Sequence, residues 1–332
     1  MRAWILDASP GTYRLGEIDV PHVATDDVVV RVRASALNHM DLWMTKGLPS
    51  PVTPHVPGID VAGVVERVGD GVSGVSVGDE VVVNPAVSPV ADVVALSDDS
   101  PVGRGLRIVG EHRWGGHAEF VVVPERNVRP RPAGRTWAEC AAYPTAYLTA
   151  HRMLRKARAA AGHTVLVVGI GSGVSSAALM LARHMGCTVY VTSRSADKRD
   201  AAVALGAAGA FDSAADRWPV EADVVIESVG PATWDRSVRA LRHGGRLVVC
   251  GGTSGQKVEV DLPRLFFKQI EIIGSTLGSY REFDDVTRII AQGVPVVVDR
   301  EYPFADYERA LQRLRGADHL GKIVLLHGGV EG

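Results

Sequence analysis

Hydrophobic positions along this chain follow two rhythms, and the change comes near Trp137. Before it, apolar residues fall in short β-branched runs cut by turn residues. Residues 27–32 alternate into Ala34, 63–68 run into the turn Gly69-Asp70-Gly71, and Gly78-Asp79 precedes 81–83. Residues 119–123, stopped by Pro124, close the series. Such closely punctuated strands predict a small, strongly curved β domain or partial barrel rather than a parallel sheet. After Trp137 the spacing turns helical over 138–159, with Pro144 beginning or bending a helix. Strand and helix patterns then alternate over 165–168, 175–185, 189–192, 196–205, 224–227, 234–241 and 247–250. Repeated βα units of this kind build a mainly parallel sheet covered on both faces. Further helix and strand patterns follow over 262–270, 272–274 and 283–291. The tail reads as a strand at 296–298, an amphipathic helix at 307–315 and a strand at 322–326, and is free to complete the first domain.

Between Asn84 and Arg113 neither rhythm holds. Pro85, Pro89, Asp92, Asp98, Asp99 and Pro101 mark a long excursion, which is either a functional loop or a poorly ordered one.

Composition narrows the class. A chain of 332 residues exceeds one ordinary core, so two domains are expected. Apolar content of 46% against 22% charged residues describes a packed, soluble protein. A formal net charge of -2, with arginines scattered among acids, argues against a nucleic-acid surface. Cys140, Cys187 and Cys250 lie far apart with no CxxC pair, which suits a reducing cytoplasm better than a disulfide framework. No apolar stretch is long enough to predict a membrane span.

The strongest chemical signal is the run from Val165 to Ser175, where a β-branched strand stops at Gly169, Gly171 and Gly173 and a helix pattern begins at Val174. Strand, low-bulk turn and helix N-terminus together bring backbone N–H groups onto a pyrophosphate. Ser175 replaces the third glycine of the motif; it either permits close helix–sheet contact or caps a backbone group. After the second strand, a dinucleotide lacking the extra phosphate normally meets an acid at the ribose. Ser193 and Arg194 stand there, followed by Lys198 and Arg199, which suits a 2′-phosphate and predicts NADPH. Gly251, Gly252 and Thr253 end a later strand and are assigned to the same cofactor, as is the polar loop around Leu277.

Several stretches resemble the medium-chain dehydrogenase/reductase superfamily over almost the whole chain. They are 36–41, 57–65, 77–81, 115–120, the glycine turn, and 321–325, where Lys322 is assigned to the cofactor. The nearest branch is the zinc-independent quinone oxidoreductase group, which also holds enoyl reductases. The resemblance implies an α/β chain: a Rossmann-type parallel-sheet domain over 128–275, interrupting a GroES-like curved β domain over 1–127 and 276–332. It also implies an active-site cleft between the two domains and a homodimer.

It argues against a catalytic metal as well. Zinc-using relatives have a cysteine at Asn38, a histidine–glutamate pair at Ile59-Asp60 and a cysteine near Thr145. The excursion keeps the footprint of a structural-zinc lobe, but Pro89, Asp92 and Ala95 stand where cysteines would. His39 and His55 are read as structural hydrogen-bonding residues.

The expected reaction is direct hydride transfer from NADPH to a small conjugated acceptor, a quinone first and an enone or enoyl thioester second. A non-catalytic NADPH-binding sensor is the third alternative. Three residues make up the candidate catalytic set. Asn38 is a substrate-facing donor by family position, unless its amide fixes the local loop. Asp41 orients a neighbour rather than acting as an acid, because an exposed carboxylate is ionised at neutral pH. Thr145 donates to the substrate, seats the nicotinamide or caps a helix. Tyr143 and Tyr147 are acids or aromatic walls, with packing the commoner outcome.

Overall fold

A computed structural model describes residues 1–97 and 99–328. Asp98 of the excursion and residues 329–332 of the expected second segment lie outside the described residues. The chain forms two compact units, Met1–Thr145 with Gly278–Gly332, and Ala146–Leu277. The first boundary therefore moves from the expected 127/128 to 145/146. The strand Val128–Pro130 and the helix Trp137–Ala142 stay with the first unit, because that strand completes its sheet beside Glu80–Val83.

The first unit is the GroES-like curved β domain. Its seven-stranded sheet runs Val298–Pro303, Lys322–Leu326, Asp27–Ala36, Asp60–Val68, Glu80–Val83, Val128–Pro130, with Phe120–Pro124 also paired to Asp27–Ala36. Curvature has a local cause in the strand Asp27–Ala36. Its first half pairs with Phe120–Pro124 and its last residues with Lys322–Leu326. Against Asp60–Val68 its register shifts twice, and such irregularities bend a strand and raise its twist. Val28, Val30 and Val32 meet Val61, Val65, Val81, Val121 and Val123 in one core, at the period-two spacing of a half-buried strand. A second core gathers Trp4, Leu6, Met44, Tyr307, Leu311 and Leu325.

Some expectations for this unit need correction. The hairpin Arg2–Leu6 with Tyr13–Glu17 and the helix His39–Met44 were not anticipated. The strand expected at 296–298 lies at Val298–Pro303; its charged Asp299, Arg300 and Glu301 break the apolar pattern, as suits an edge strand. The excursion carries structure too. Ala86–Val87 pairs antiparallel with Arg107–Ile108, a short helix spans Val90–Ala95, and the Gly105 N–H donates to Asp92 Oδ2 at 3.1 Å.

The second unit is a six-stranded, all-parallel Rossmann-type sheet. Its order is Gly209–Asp212, Thr188–Ser193, Thr164–Val167, Ala222–Glu227, Leu241–Val249, Glu271–Gly274. Numbered within the unit this is 3-2-1-4-5-6, so the chain reverses direction across the sheet between Thr164–Val167 and Ala222–Glu227. Ligands of such sheets bind beyond the strand C-termini at that switch. Strand Gly209–Asp212 escaped the sequence pattern because Ala207-Ala208-Gly209-Ala210 has no β-branched residue. Among the described residues, no helix is long and apolar enough to cross a membrane.

Candidate functional site

In the second unit, Gly169 sits at φ +74° and Gly171 at +149°, backbone that side-chain-bearing residues rarely adopt. The turn they form follows strand Thr164–Val167 directly. Its first N–H, on Gly169, donates to Thr192 Oγ1 at 3.0 Å, tying the turn to the next strand. Ser172 caps the helix Gly173–His184 by accepting from the Ser175 N–H. Ser175 itself resolves into a staple: its hydroxyl accepts from the Gly171 N–H at 3.2 Å and donates to Ser172 O at 3.0 Å. What remains at the helix start are the N–H groups of Gly173 and Val174, which have no intrahelical partner by position. Two such donors at a helix N-terminus, at the sheet's switch point, fit an anionic phosphate. The cradle therefore suits a dinucleotide.

The strand end that follows has a division of labour. Ser193 is buried; its hydroxyl accepts from the Ser195 N–H and its carbonyl from Arg199 Nη1 at 2.7 Å. Arg199 also lies 3.9 Å from Asp212, so it belongs to the scaffold. Arg194 is exposed, and its guanidinium makes no ion pair among the described residues. Lys198 is half-buried one helical turn on, its own N–H bonded to Ser195 Oγ.

Across the switch point, sequence reading named Glu227 only as a strand end. The structure makes it the anchor of the neighbouring loop. Its fully buried carboxylate accepts from the N–H groups of Val229 (2.6 Å) and Gly230 (3.0 Å) and from the hydroxyls of Thr233 (3.0 Å) and Ser237 (2.5 Å). Loop 251–255 closes on that anchored segment. Thr253 N–H donates to Ser228 O at 3.2 Å, and a Cβ on Gly252 would stand 2.4 Å from Gly255 O. Gly251 meets only ordinary contacts, with Ser228 O at 3.5 Å. Burial, with the Glu227 charge behind it, pushes the Cys250 thiol up to about 12, far from a nucleophile's range. Leu277, the last residue of this unit, is buried at φ +42°, an uncommon conformation for a branched side chain.

The first unit carries a separate polar cluster. Asp60 is fully buried. Its Oδ1 accepts from the Thr145 N–H at 2.7 Å, and its Oδ2 from Asn38 Nδ2 at 2.9 Å and Lys322 Nζ at 2.6 Å. Lys322 Nζ also donates to Asn38 Oδ1 at 2.8 Å and to Leu37 O at 2.6 Å. The structure thus places Lys322 with Asn38 and Asp60. Asn38 is engaged at both ends of its amide, its second N–H making a longer 3.4 Å bond to Ala36 O. Asp60, rather than Thr145, caps the helix Pro144–Lys156, and the Thr145 hydroxyl is left buried with no partner among the described residues.

Asp41 is buried, not exposed. Its carboxylate accepts from the Asn38 N–H (2.7 Å) and the Tyr307 hydroxyl (3.0 Å) and lies 3.3 Å from His117 Nε2. Burial alone pushes this carboxyl up, but the nearby His117 imidazole, the Asn38 N–H and the Tyr307 hydroxyl together hold it below the ordinary range. Its orienting role is visible in those bonds. His117 Nδ1 continues to Ser35 Oγ at 2.8 Å, and Ser35 to His327 Nε2 at 2.8 Å. This Ser–His–Asp arrangement is sealed, with Ser35 and His117 fully buried, so it serves packing rather than acyl transfer. His55 bonds Gly110 O at 3.1 Å, while His39 packs its ring 6.0 Å from Trp43. Tyr143 is buried, its hydroxyl 3.1 Å from Thr287 Oγ1, and burial raises its pKa. Tyr147 is buried as well.

The cluster does not fit a catalytic zinc ion. The acceptors Asn38 Oδ1, Asp60 Oδ2 and Leu37 O already surround an ammonium, whose charge repels a second cation. Among the described residues, no group of three or more His, Cys, Asp or Glu could hold a metal ion.

Two family models match, an alcohol dehydrogenase GroES-like domain over residues 24–133 and a zinc-binding dehydrogenase over 173–292. A zinc-type alcohol dehydrogenase-like protein of Schizosaccharomyces pombe is 31% identical, covering 93% of this chain and 93% of that protein. A crotonyl-CoA reductase of Streptomyces collinus is 29% identical over 94% of this chain and 81% of its own length. A quinone oxidoreductase of Mus musculus is 29% identical over 93% and 92%. Among solved structures, an NAD-dependent alcohol dehydrogenase superposes with a TM-score of 0.93 at 34% identity, covering 99% of this chain and 100% of that one. A 2-octenoyl-CoA carboxylase reductase in complex with NADP and 2-octenoyl-CoA gives 0.90 at 30% identity, covering 96% and 82%.

Proposed function

The chain belongs to the zinc-type medium-chain dehydrogenase/reductase superfamily, a family of oxidoreductases, and from that premise we propose that it reduces the conjugated double bond of an enoyl thioester or enone with NADPH. The observation that carries this reading is the second unit's phosphate cradle joined to an unpaired guanidinium. The Gly173 and Val174 N–H groups would hold the pyrophosphate, and Arg194, with Lys198 beside it, the 2′-phosphate. When bound, NADPH supplies a hydride to an electron-poor carbon. The protein's own part is to hold the acceptor and to place a donor where negative charge develops on its oxygen. The Thr145 hydroxyl, buried and without a partner among the described residues, is the hydroxyl of the first unit's polar cluster that stands uncommitted. A conjugated acceptor suits a hydroxyl donor, because delocalisation lowers the charge that one oxygen must carry.

Quinone was the first expectation from sequence. It yields to the enoyl class, which relatives by sequence and by structure both support. Self-association is part of the same proposal. The edge strand Glu271–Gly274 directly follows in the chain the helix Leu262–Phe267, whose Leu262, Phe266 and Phe267 are exposed, features that suit a second copy.

Anaerobic NADPH oxidation with crotonyl-CoA, a set of enones and a set of quinones, with product analysis, tests the reading. Saturated thioester or ketone is the expected product. Turnover of quinones alone would return the first expectation, and tight NADPH binding without any turnover would favour a sensor.

A further inference from the structure

We propose that the first unit carries a small-molecule site of its own, for an N-acylated amino acid, in the pocket between segment 19–22 and strand Phe120–Pro124. Every part of it belongs to that unit, and its test needs no turnover, so it stands or falls apart from the reductase reading.

The pocket has a volume of about 460 Å³ and is walled by segment 19–22, Arg113, Trp114 and Val122. That size lies within the roughly 300–1,000 Å³ of small-molecule sites.

Strand phase leaves a peptide group open on its wall. The Val32 N–H donates to Glu119 O, and the Glu125 N–H to Asp26 O, both at 2.9 Å. Between these two bonds the register of Phe120–Pro124 against Asp27–Ala36 is unbroken. Bonded and unbonded pairs alternate along an antiparallel ladder, so Val122, opposite Val29, belongs to an unbonded pair. Its N–H and C=O therefore point away from Asp27–Ala36, and Phe120–Pro124 has no other strand beside it in the sheet. Segment 19–22 passes by without a backbone hydrogen bond of its own among the described residues. Val122 is only 5% exposed, and buried peptide groups are seldom left without partners. A ligand amide would supply both an acceptor and a donor, as an added strand does.

Arg113 supplies the charge. It is half-buried, and its guanidinium makes no hydrogen bond or ion pair among the described residues. Asp19 borders the same pocket and forms no ion pair with it. The Arg113 backbone is pinned, its carbonyl accepting from the Gly110 N–H at 2.8 Å and its N–H donating to Ile108 O at 3.3 Å. A planar guanidinium held this way suits a carboxylate. Trp114 supplies a rigid apolar wall. Its indole N–H donates to Pro54 O at 3.1 Å, and its ring packs against Ala3, Ile5, Val56 and Ala118. A carboxylate, an adjoining amide and an apolar side chain are the parts of an N-acylated amino acid. An inorganic anion would use Arg113 alone, and a hydrocarbon Trp114 alone.

The test is calorimetric titration of the full chain with three probes. They are N-acetylphenylalanine, its neutral counterpart N-acetylphenylalaninamide, and 3-phenylpropionate, which keeps ring and carboxylate but lacks the amide. One saturable site is expected for the first, with each of the others about tenfold weaker, since each drops one hydrogen-bonding partner. Arg113→Met should weaken binding by about tenfold or more while circular dichroism shows its fold intact. Asp19→Asn should tighten binding a few-fold, because that exposed carboxylate repels the ligand's own. The ligand should also slow amide hydrogen exchange over residues 120–124. No saturable heat at millimolar concentration, equal affinity for the acid and its neutral amide, or unchanged affinity in Arg113→Met would each overturn the proposal. Binding that leaves exchange over 120–124 untouched would overturn it too, because the ligand would then lie elsewhere.

Discussion

Arg194 and Asp41 show how differently single side chains of the same candidate set are placed. Arg194 is exposed and makes no ion pair among the described residues, whereas its neighbour Arg199 is tied to backbone carbonyls. Arg194→Ala should weaken NADPH binding by about 2 kcal/mol, the worth of a charge-assisted hydrogen bond, and leave NADH binding nearly unchanged. Paired titrations of the two cofactors check this; equal losses would sink the phosphate role. Asp41 was expected to be exposed because nothing in its neighbours along the chain announces burial. Its partners Tyr307 and His117 are 266 and 76 positions away, so only folding reveals them. A carboxyl held low by folding adds stability that is complete above its unfolded value of about 3.9 and fades as pH falls through the folded value. Thermal midpoints should therefore drop for wild type below about pH 4, while Asp41→Asn melts lower at pH 7 and declines less steeply in acid. Parallel midpoint curves for the two proteins would remove Asp41 from the buried network.

At the scale of elements, legibility followed the strength of the local pattern. The strand–turn–helix around Gly169 was readable because β-branched residues, glycines and a helix-forming run succeed one another without a break. Glu227 was not readable as an anchor. A lone acid at a strand end looks like any other until Thr233 and Ser237 turn back toward it from the next helix. Helix His39–Met44 escaped for another reason: six residues offer less than two turns of periodicity. Its start is marked by Asp41 reaching back to the Asn38 N–H, half of a capping box that a sequence search for Ser or Thr at the cap overlooks. The lobe over 84–113 taught the reverse lesson. Proline and aspartate suggested irregularity, yet two-residue strands and the Asp92–Gly105 bond give it a definite path.

At the scale of the whole molecule, the exposed aromatic pair Phe266 and Phe267, with ring centroids 4.6 Å apart, is the feature a single copy leaves unexplained. Phe267→Glu should shift sedimentation equilibrium toward monomer without altering NADPH affinity. A wild-type protein that sediments as a monomer would discard the interface. The sequence by itself determined the two kinds of sheet and the glycine turn, because each is written in residues close together in the chain, where backbone geometry acts directly. Only tertiary structure decided which polar groups are occupied and which stand free. Lys322 and Asn38 are 284 residues apart, and burial favours pairing a donor with whatever acceptor the fold brings to it. That is why the bonds from Lys322 to an amide and a carboxylate, and the absence of a partner for the Thr145 hydroxyl among the described residues, appear only in the folded chain.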